Sequence, residues 1–240
     1  MDQEKLFVTK PLYQRAWIVF GGPLANFILA IFIFLFIYMF IGKDFTPAVI
    51  DEVQKDSPAE IAGLKKNDII LEIDNNKVES ILDVSKFIAM STSDFVDFKV
   101  SRFENEILLK VKPNLVESED NLGNKLKKRM VGIKLSAYND KINHVKLGPV
   151  QALTHSFNEV YFVTVYYLKF LVYMVVGKGD TSQLGGPIRI AKISGQVAEF
   201  GIIPFISMMA YISISLGLIN LFPIPMLDGG HLMFYGFEKI

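Results

Sequence analysis

Residues 17–41, WIVFGGPLANFILAIFIFLFIYMFI, form the longest apolar run near the N-terminus. It carries no charged side chain and is long enough to cross a hydrocarbon layer of ~30 Å with some tilt. A buried core helix of this length would normally show a polar face, whereas Asn26 is the only strongly polar residue in this run. We therefore predict a transmembrane helix over 17–41.

A second charge-free run occupies residues 201–226 and has the sequence GIIPFISMMAYISISLGLINLFPIPM. Its length predicts a second transmembrane helix. Between the two runs, the apolar segment 157–176 contains Glu159, Lys169 and several tyrosines, which prefer membrane interfaces. This segment either spans the membrane or lies along its surface as an amphipathic helix, and its charges favour the surface position. A Gly-rich loop and a short helix follow at 177–200.

Residues 45–115 have the alternating texture of a small α+β module. Ser57 and Pro58 predict a helix start, and Gly63 lies where the C-terminus of that helix needs a positive φ. Strands are predicted at 47–53 and 68–74, an amphipathic helix at 78–90, and a hairpin at 97–113. Together these elements predict one compact extramembrane domain.

Residues 116–156 are rich in charge and are predicted to be a connecting segment with one strand candidate at 130–136. Their basic cluster could contact phosphate or lipid head groups, but a solvated loop is the simpler interpretation. The cluster consists of Lys125, Lys127, Lys128 and Arg129.

The composition of the chain excludes several classes of function. The charges of its 25 basic and 25 acidic residues cancel, which excludes a function based mainly on bulk electrostatic attraction to nucleic acid. The absence of cysteine excludes disulfide scaffolds, thiolate zinc sites and cysteine nucleophiles. The basic residues of the polar segment 1–16 favour a cytoplasmic N-terminal segment, which places 45–115 on the far side of the membrane.

Asp228 is the strongest candidate for chemistry. It follows directly on an uncharged membrane run, in LDGGH (227–231), and it comes after two prolines and before a Gly-Gly pair. An ionisable group at membrane depth is costly and is by default a functional hypothesis. The prolines break the helix and the glycines permit a tight turn, so a rigid helix end presents one carboxylate. The alternative is an interfacial turn in which Asp228 faces water.

Three further polar residues have two interpretations each. Asn26 and Asn220 lie in apolar helices, where an amide either joins two helices by hydrogen bonding or holds substrate. His231 could be a metal ligand, but a single histidine three residues from Asp228 is weak evidence, and a structural role is favoured.

A family resemblance follows from five segments that occur in order. They are GGPLANF (21–27), SPAEIAGLKKNDIILEID (57–74), GPVQAL (148–153), LGGPIRIAKISGQ (184–196) and LGLINLFPIPMLDGGHLMFY (216–235). The chain resembles the bacterial site-2 proteases of the regulator-of-sigma-E type, which are intramembrane zinc metalloproteases. The resemblance implies a helical transmembrane core with an inserted extramembrane domain of the PDZ kind at 45–115.

The resemblance also implies roles for individual residues. Asp228 matches the aspartate of the family's LDG motif and is implied to be a Zn²⁺ ligand. Asn220 is implied to position a substrate strand near the metal, together with Gly185, Gly186 and Pro187, and Asn26 is a further candidate for substrate binding.

The sequence departs from the family in lacking an HExxH motif, which supplies two zinc-binding histidines and the general base. We therefore expect the sequence to be a fragment, with 227–240 ending at the start of a further segment. We expect no catalytic base within these residues and no zinc-dependent proteolysis by this chain alone.

The expected function of the whole protein is cleavage of transmembrane segments in substrates such as anti-sigma factors, during regulated intramembrane proteolysis. The expected location is a bacterial inner membrane, with the PDZ domain in the periplasm, where it would bind a peptide or the product of an upstream protease. A non-catalytic, membrane-anchored PDZ adaptor is the main alternative. A transporter with a midplane aspartate is a weaker one.

Overall fold

The computed structural model describes residues 10–119, 125–138, 142–176 and 187–238. These residues divide into two compact units. The first contains residues up to 41, residues 147–168 and the chain from 185 onward, and the second contains 42–146 with the end of the long helix from 169. The first unit is helical, whereas the second is built mainly from β-strands.

The helical unit is formed by the long apolar segments of the sequence. Its first helix runs through Pro23 and continues as a π-helical turn over Ile37–Ile41. The helices are α1 (Leu12–Phe36), α4 (Pro149–Val175, of which the first part belongs to this unit), α5 (Pro187–Glu199), α6 (Ile202–Asn220) and α7 (Asp228–Glu238).

Two helices of this unit are long and apolar enough to cross a membrane. The most apolar 18-residue stretch of Leu12–Ile41 has a mean hydropathy of 2.7, and that of Ile202–Asn220 has a mean hydropathy of 2.1. Only 17% and 28% of their most apolar windows are buried within the protein. A helix in the core of a globular protein would be mostly buried, so the low burial of these two helices makes them candidate membrane spans.

The core of the helical unit lies where α1, α4 and α6 meet. Two residues from each helix are buried together: Ala30 and Phe34, Val160 and Val163, and Ala210 and Ile214. Glu159, one of the two charges in the segment 157–176, accepts a hydrogen bond of 2.9 Å from the Tyr211 hydroxyl. The pairing of Glu159 within the unit weakens the inference that its charge keeps α4 at the membrane surface, and the orientation of α4 in a membrane stays a prediction.

The helix bounds differ from the sequence prediction in three places. The first helix begins at Leu12, inside the segment predicted as 1–16, because Pro11 at its cap has the extended backbone that starts a helix. The helix predicted over 157–176 begins at Pro149, eight residues earlier. The run 201–226 is helical only to Asn220, because Pro223 and Pro225 cannot continue the backbone hydrogen bonding.

The second unit contains all ten strands of the described chain and two short helices. Its main sheet has six strands in the order β6-β5-β3-β2-β9, with β4 paired to β3. All of these pairs are antiparallel. The strands and helices are β1 (Lys43–Asp44), β2 (Ala48–Val53), α2 (Pro58–Ile61), β3 (Ile69–Ile73), β4 (Asn76–Lys77), α3 (Ile81–Met90), β5 (Val96–Arg102), β6 (Asn105–Val111), β7 (Asn114–Glu119), β8 (Lys125–Met130), β9 (Ile133–Ala137) and β10 (His144–Val145).

Local sequence signals account for the two helices of this unit. The Ser57 hydroxyl accepts a hydrogen bond from the Glu60 N–H and caps α2, and Gly63 has a φ of +87° beyond its end. Ser80 and Asp83 form a capping box at the start of α3. The signals at Ser57 and Gly63 are those from which α2 was predicted, whereas α3 was predicted from its amphipathic pattern and its capping box was not recognised.

The prediction that 116–156 is a connecting segment is wrong in part. Strands β7 and β8 form a hairpin in this region, and β9 joins the main sheet by pairing with β2. The basic cluster therefore lies on a strand, and the Arg129 guanidinium donates to the backbone carbonyls of Ser91 and Ser93. The hairpin was not predicted because its two strands are rich in charged residues, and their sequences lack the apolar–polar alternation of a half-buried strand.

Candidate functional site

Asp228 is the first residue of α7, and a tight loop connects it to the end of α6. The loop is closed by backbone hydrogen bonds, from Ile224 N–H to the Phe222 carbonyl at 2.7 Å and from Leu227 N–H to the Ile224 carbonyl at 3.1 Å. Pro223 and Pro225 have no N–H group, so fewer backbone donors in this loop need a hydrogen-bond partner. The helix therefore ends before the prolines, as the sequence predicted, and a hydrogen-bonded loop leads to Asp228.

The Gly-Gly pair has a different role from the one expected. Gly229 and Gly230 lie in the first turn of α7 and show no positive φ. A Cβ atom on Gly229 would lie 2.2 Å from the Leu221 carbonyl oxygen, and one on Gly230 would lie 2.4 Å from the Ile224 carbonyl oxygen. The glycines therefore let the loop backbone pack directly on α7, which fixes the position of Asp228 relative to α6.

The carboxylate of Asp228 lies against α1 at Gly22. A Cβ atom on Gly22 would be 3.1 Å from Asp228 Oδ2, closer than most side-chain contacts of a Cβ, whereas one on the neighbouring Gly21 would meet nothing within 4 Å. Gly22 thus leaves the space that the half-buried carboxylate occupies.

This contact places the carboxylate below the edge of the apolar run. Gly22 is five residues after Trp17, where the charge-free run begins, and an α-helix rises 1.5 Å per residue, so the contact lies roughly 7 Å inside the run. If α1 spans a membrane, Asp228 lies below the interface, where an ionisable group is costly to keep without a function.

Asn26 lies at a close contact between α1 and α6. The Ser213 hydroxyl donates to the Asn26 backbone oxygen at 2.9 Å, and a Cβ atom on Gly217 would be 3.1 Å from Asn26 Cβ. Small residues that let two helices approach closely are typical of helix contacts in membranes. This geometry favours the packing role for Asn26, and a role in substrate binding stays a prediction.

The other predicted site residues are less closely tied to Asp228. Asn220 is the half-buried last residue of α6, and His231 is exposed in the first turn of α7. Gly185 and Gly186 lie outside the described residues, and Pro187 is the first residue of α5.

Asp228 is a suitable zinc ligand by its chemistry, because a carboxylate oxygen binds Zn²⁺ in catalytic sites. Such sites use three protein ligands. Among the described residues, no three His, Cys, Asp or Glu side chains lie close enough together to hold a metal ion. Within the described part of the chain, Asp228 is therefore a candidate ligand, and no complete zinc site is formed around it.

Two features of this site were missed by the sequence analysis. Gly22 was recognised only as part of a motif, and Gly217 was not considered. The available signal was a small residue within an apolar helix, which indicates a close helix contact. That signal does not say which residue the glycine faces.

Comparisons with known proteins agree on one family. The profile of peptidase family M50 matches residues 1–240. A protein of Agrobacterium fabrum named "Putative zinc metalloprotease" is 37% identical over 229 residues, which cover 95% of this chain and 61% of the relative. A protein of the same description from Rickettsia conorii is 33% identical and covers 100% of this chain and 67% of the relative.

A third relative, metalloprotease MmpA of Caulobacter vibrioides, is 32% identical over 98% of this chain and 62% of the relative. The chain thus spans about three fifths of the length of the Agrobacterium protein. Among solved structures, the PDZ domain of an SdrC-like protein from Listeria monocytogenes is 24% identical over 37% of this chain and 85% of its own, with a TM-score of 0.29. The corresponding Listeria innocua domain is 23% identical over 40% and 99%, with a TM-score of 0.30.

Proposed function

The chain belongs to peptidase family M50, and from this premise we propose that it is the Asp228-bearing part of an intramembrane zinc metalloendopeptidase. The observation that carries the proposal is the placement of the Asp228 carboxylate against Gly22, inside the apolar run of α1. Two apolar helices with largely exposed faces support the membrane location.

In this proposal the chain supplies one metal ligand and the scaffold that fixes it. The loop 221–227 packs on Gly229 and Gly230 and sets the direction of the Asp228 side chain, and Gly22 leaves room for its carboxylate. A zinc ion at such a site would act as a Lewis acid on the scissile carbonyl. The remaining ligands and the general base are not assigned to any residue of this chain.

We further propose that the substrate is a membrane-spanning segment that must unwind before cleavage, as in regulated intramembrane proteolysis of anti-sigma factors. A helical peptide bond is shielded by its own hydrogen bonds, so an extended segment has to pair with the enzyme. Asn220 lies at the end of α6, beside the loop that leads to Asp228, and is the described residue best placed to meet such a segment. Gly185, Gly186 and Pro187 are the other proposed contacts.

The second unit is proposed to be a PDZ domain that binds a peptide, such as the product of an upstream protease. Peptides bind PDZ domains by adding a strand to a sheet edge. In the described chain, β9 is the last strand on its side of the main sheet, and α3 packs beside it. We place the peptide along this edge, in a domain that faces the periplasm of a bacterium whose inner membrane holds the helices.

The test is cleavage of a membrane-spanning reporter by the natural full-length protein, reconstituted in liposomes. We expect Asp228→Asn to reduce cleavage by about a hundredfold or more, because the carboxylate is a metal ligand. Glu199→Gln, at the exposed end of α5, is the matched control and should cleave at the wild-type rate. Equal activity of Asp228→Asn and the wild type would refute the assignment, and absence of any cleavage by the wild type would favour the adaptor alternative.

A further inference from the structure

Arg15, in the first turn of α1, contacts the C-terminal end of α7. We propose that Arg15 is a positioning residue that holds α7 along α1 and thereby keeps Asp228 at Gly22. The proposal rests on the proposed function only in that Asp228 is taken as a metal ligand. The contacts themselves do not depend on that function.

Arg15 contacts two residues on one face of α7. Its Nη2 lies 2.8 Å from Glu238 Oε1, and its guanidinium lies 5.2 Å from the centre of the Tyr235 ring. Tyr235 and Glu238 are three positions apart and therefore lie on the same side of the helix. A planar guanidinium can serve both partners at once, because it combines directional donors with a face that stacks on aromatic rings.

Contacts at both ends of α7 show its direction. Asp228 lies at Gly22, and Tyr235 and Glu238 lie at Arg15, so α7 runs antiparallel to α1. The Arg15 contact adds to the packing of the two helices at the end of α7 that is farthest from Asp228. In our proposal it thereby helps to keep the carboxylate at the start of α7 in position.

Arg15 is more buried than a charge that only flanks a membrane run. Its side chain is 17% exposed, and its Nε is buried without a hydrogen-bond partner in the described part of the chain. A buried donor without a partner is destabilising. A basic residue that only set the orientation of the chain in the membrane would not have to be buried, because an exposed basic residue beside the membrane run has the same effect.

The first measurement reports on whether α7 stays docked. Leu232, half-buried in α7, is changed to cysteine, which is the only thiol because these 240 residues contain no cysteine. The chain is reconstituted in nanodiscs, and the rate of modification by N-ethylmaleimide is measured. We expect Arg15→Gln to raise this rate roughly tenfold, from the loss of an ion pair and a cation–π contact. Lys10→Gln removes a cation from the same end of α1 and should leave the rate unchanged.

The second measurement reports on the metal ligand. In the natural full-length protein, the zinc affinity is determined by competition with a chelator. Arg15→Gln should weaken zinc binding roughly fivefold to tenfold, because a ligand on a loosened helix has to be ordered again on binding. The reversed pair, Arg15→Glu with Glu238→Arg, keeps the ion pair and should recover most of that loss. A variant that simply misfolds would not be rescued by a second substitution.

The outcomes separate this inference from the proposed function. An unchanged maleimide rate in Arg15→Gln would overturn the positioning role, as would failure of the reversed pair to recover zinc affinity while Asp228→Asn abolishes it. Asp228→Asn could leave zinc binding unchanged while Arg15→Gln raises the maleimide rate of the Leu232→Cys protein. In that case the proposed function fails and the docking role of Arg15 stands.

Discussion

At the scale of single residues, the site depends on glycines as much as on its carboxylate. Asp228 can approach α1 because Gly22 has no side chain, and the loop before Asp228 can pack on α7 because Gly229 and Gly230 have none. Each of these close approaches has a nearby glycine that faces open space, namely Gly21 in α1 and Gly236 in α7. These pairs make matched tests, because both members lie on the same helix.

Gly22→Ala should weaken zinc binding by the full-length protein about fivefold to tenfold. The new methyl group would lie 3.1 Å from Asp228 Oδ2 and would push the carboxylate away from its position. Gly21→Ala adds the same methyl group where nothing lies within 4 Å and should leave the affinity unchanged. Equal effects of the two substitutions would contradict the contact between Gly22 and Asp228.

Gly229→Ala should destabilise the loop before Asp228. Its methyl group would lie 2.2 Å from the Leu221 carbonyl oxygen, so the backbone has to move, at a cost of about 1–3 kcal/mol. Gly236→Ala should instead stabilise α7 by up to about 1 kcal/mol, because alanine favours helix more than glycine does. The midpoint of thermal unfolding in detergent measures both, and a midpoint for Gly229→Ala at or above the wild type would refute the packing.

Sequence reasoning predicted the end of the helix before Asp228, because prolines cannot continue a helix. It singled out Asp228 because an ionisable residue next to an apolar run is costly, and the role of Asp228 stays a prediction. It could not predict Gly22 as the neighbour of Asp228, since that contact depends on how two helices far apart in sequence pack. It also assigned the Gly-Gly pair to a turn, although the pair lies in a helix. Glycine has two uses, positive φ and close approach, and the sequence does not distinguish them.

At the scale of elements, an ion pair with a buried carboxylate joins three elements of the second unit. Asp68 is fully buried, and both of its carboxylate oxygens accept hydrogen bonds of 2.7 Å from Arg102. Arg102 also donates to the Gly63 carbonyl at 2.7 Å, so the end of β5 is joined to the start of β3 and the end of α2. The hydrogen bonds to Asp68 raise the pKa of Arg102 above its ordinary value, which keeps it charged at any physiological pH.

Asp68→Asn should lower the free energy of unfolding of this unit by about 2–3 kcal/mol, because it leaves a desolvated guanidinium without its counter-charge. Asp51→Asn is the control, since the Asp51–Lys66 pair is solvent-exposed and should contribute less than about 1 kcal/mol. Pulse proteolysis of the chain in urea measures both values. A loss for Asp68→Asn no larger than that for Asp51→Asn would contradict the role of the pair.

The elements of this unit were predictable to different degrees. Helix α2 was predicted because Ser57 caps it, and α3 because its sequence is amphipathic. The β5–β6 hairpin was predicted because its strands alternate around a short turn. The place of β9 in the main sheet was not predictable, since its pairing with β2 joins residues about 85 positions apart. The module therefore extends beyond the predicted limit at residue 115.

At the scale of the whole molecule, the β-rich unit is an insertion in the sequence between α1 and α4 of the helical unit. Its entry and exit segments pair with each other, β1 with β10, at Lys43 opposite Val145. Because the two ends of the insertion meet, the unit can be removed as a whole with a short linker in its place. The sheet itself requires both its early strands and β9.

Replacing residues 45–143 with a short Gly/Ser linker should leave peptide-bond cleavage by the full-length protein in place and broaden its choice of substrates. The reason is that the proposed peptide-binding domain is lost while the helical unit is retained. Removing only 45–115 should instead give an aggregating protein, because β9 is left without β2. Cleavage of trimmed and untrimmed reporter substrates measures selectivity. An intact preference for the trimmed substrate after the longer deletion would argue against a filtering role.

The central claim is that Asp228 binds zinc, and the most direct test is the zinc content of the full-length protein, measured by mass spectrometry for the wild type and Asp228→Asn. Glu199→Gln serves as the control of equal charge change. We predict about one zinc ion per chain in the wild type and the control, and less than about a tenth of that in Asp228→Asn. Full zinc occupancy in Asp228→Asn would contradict the claim.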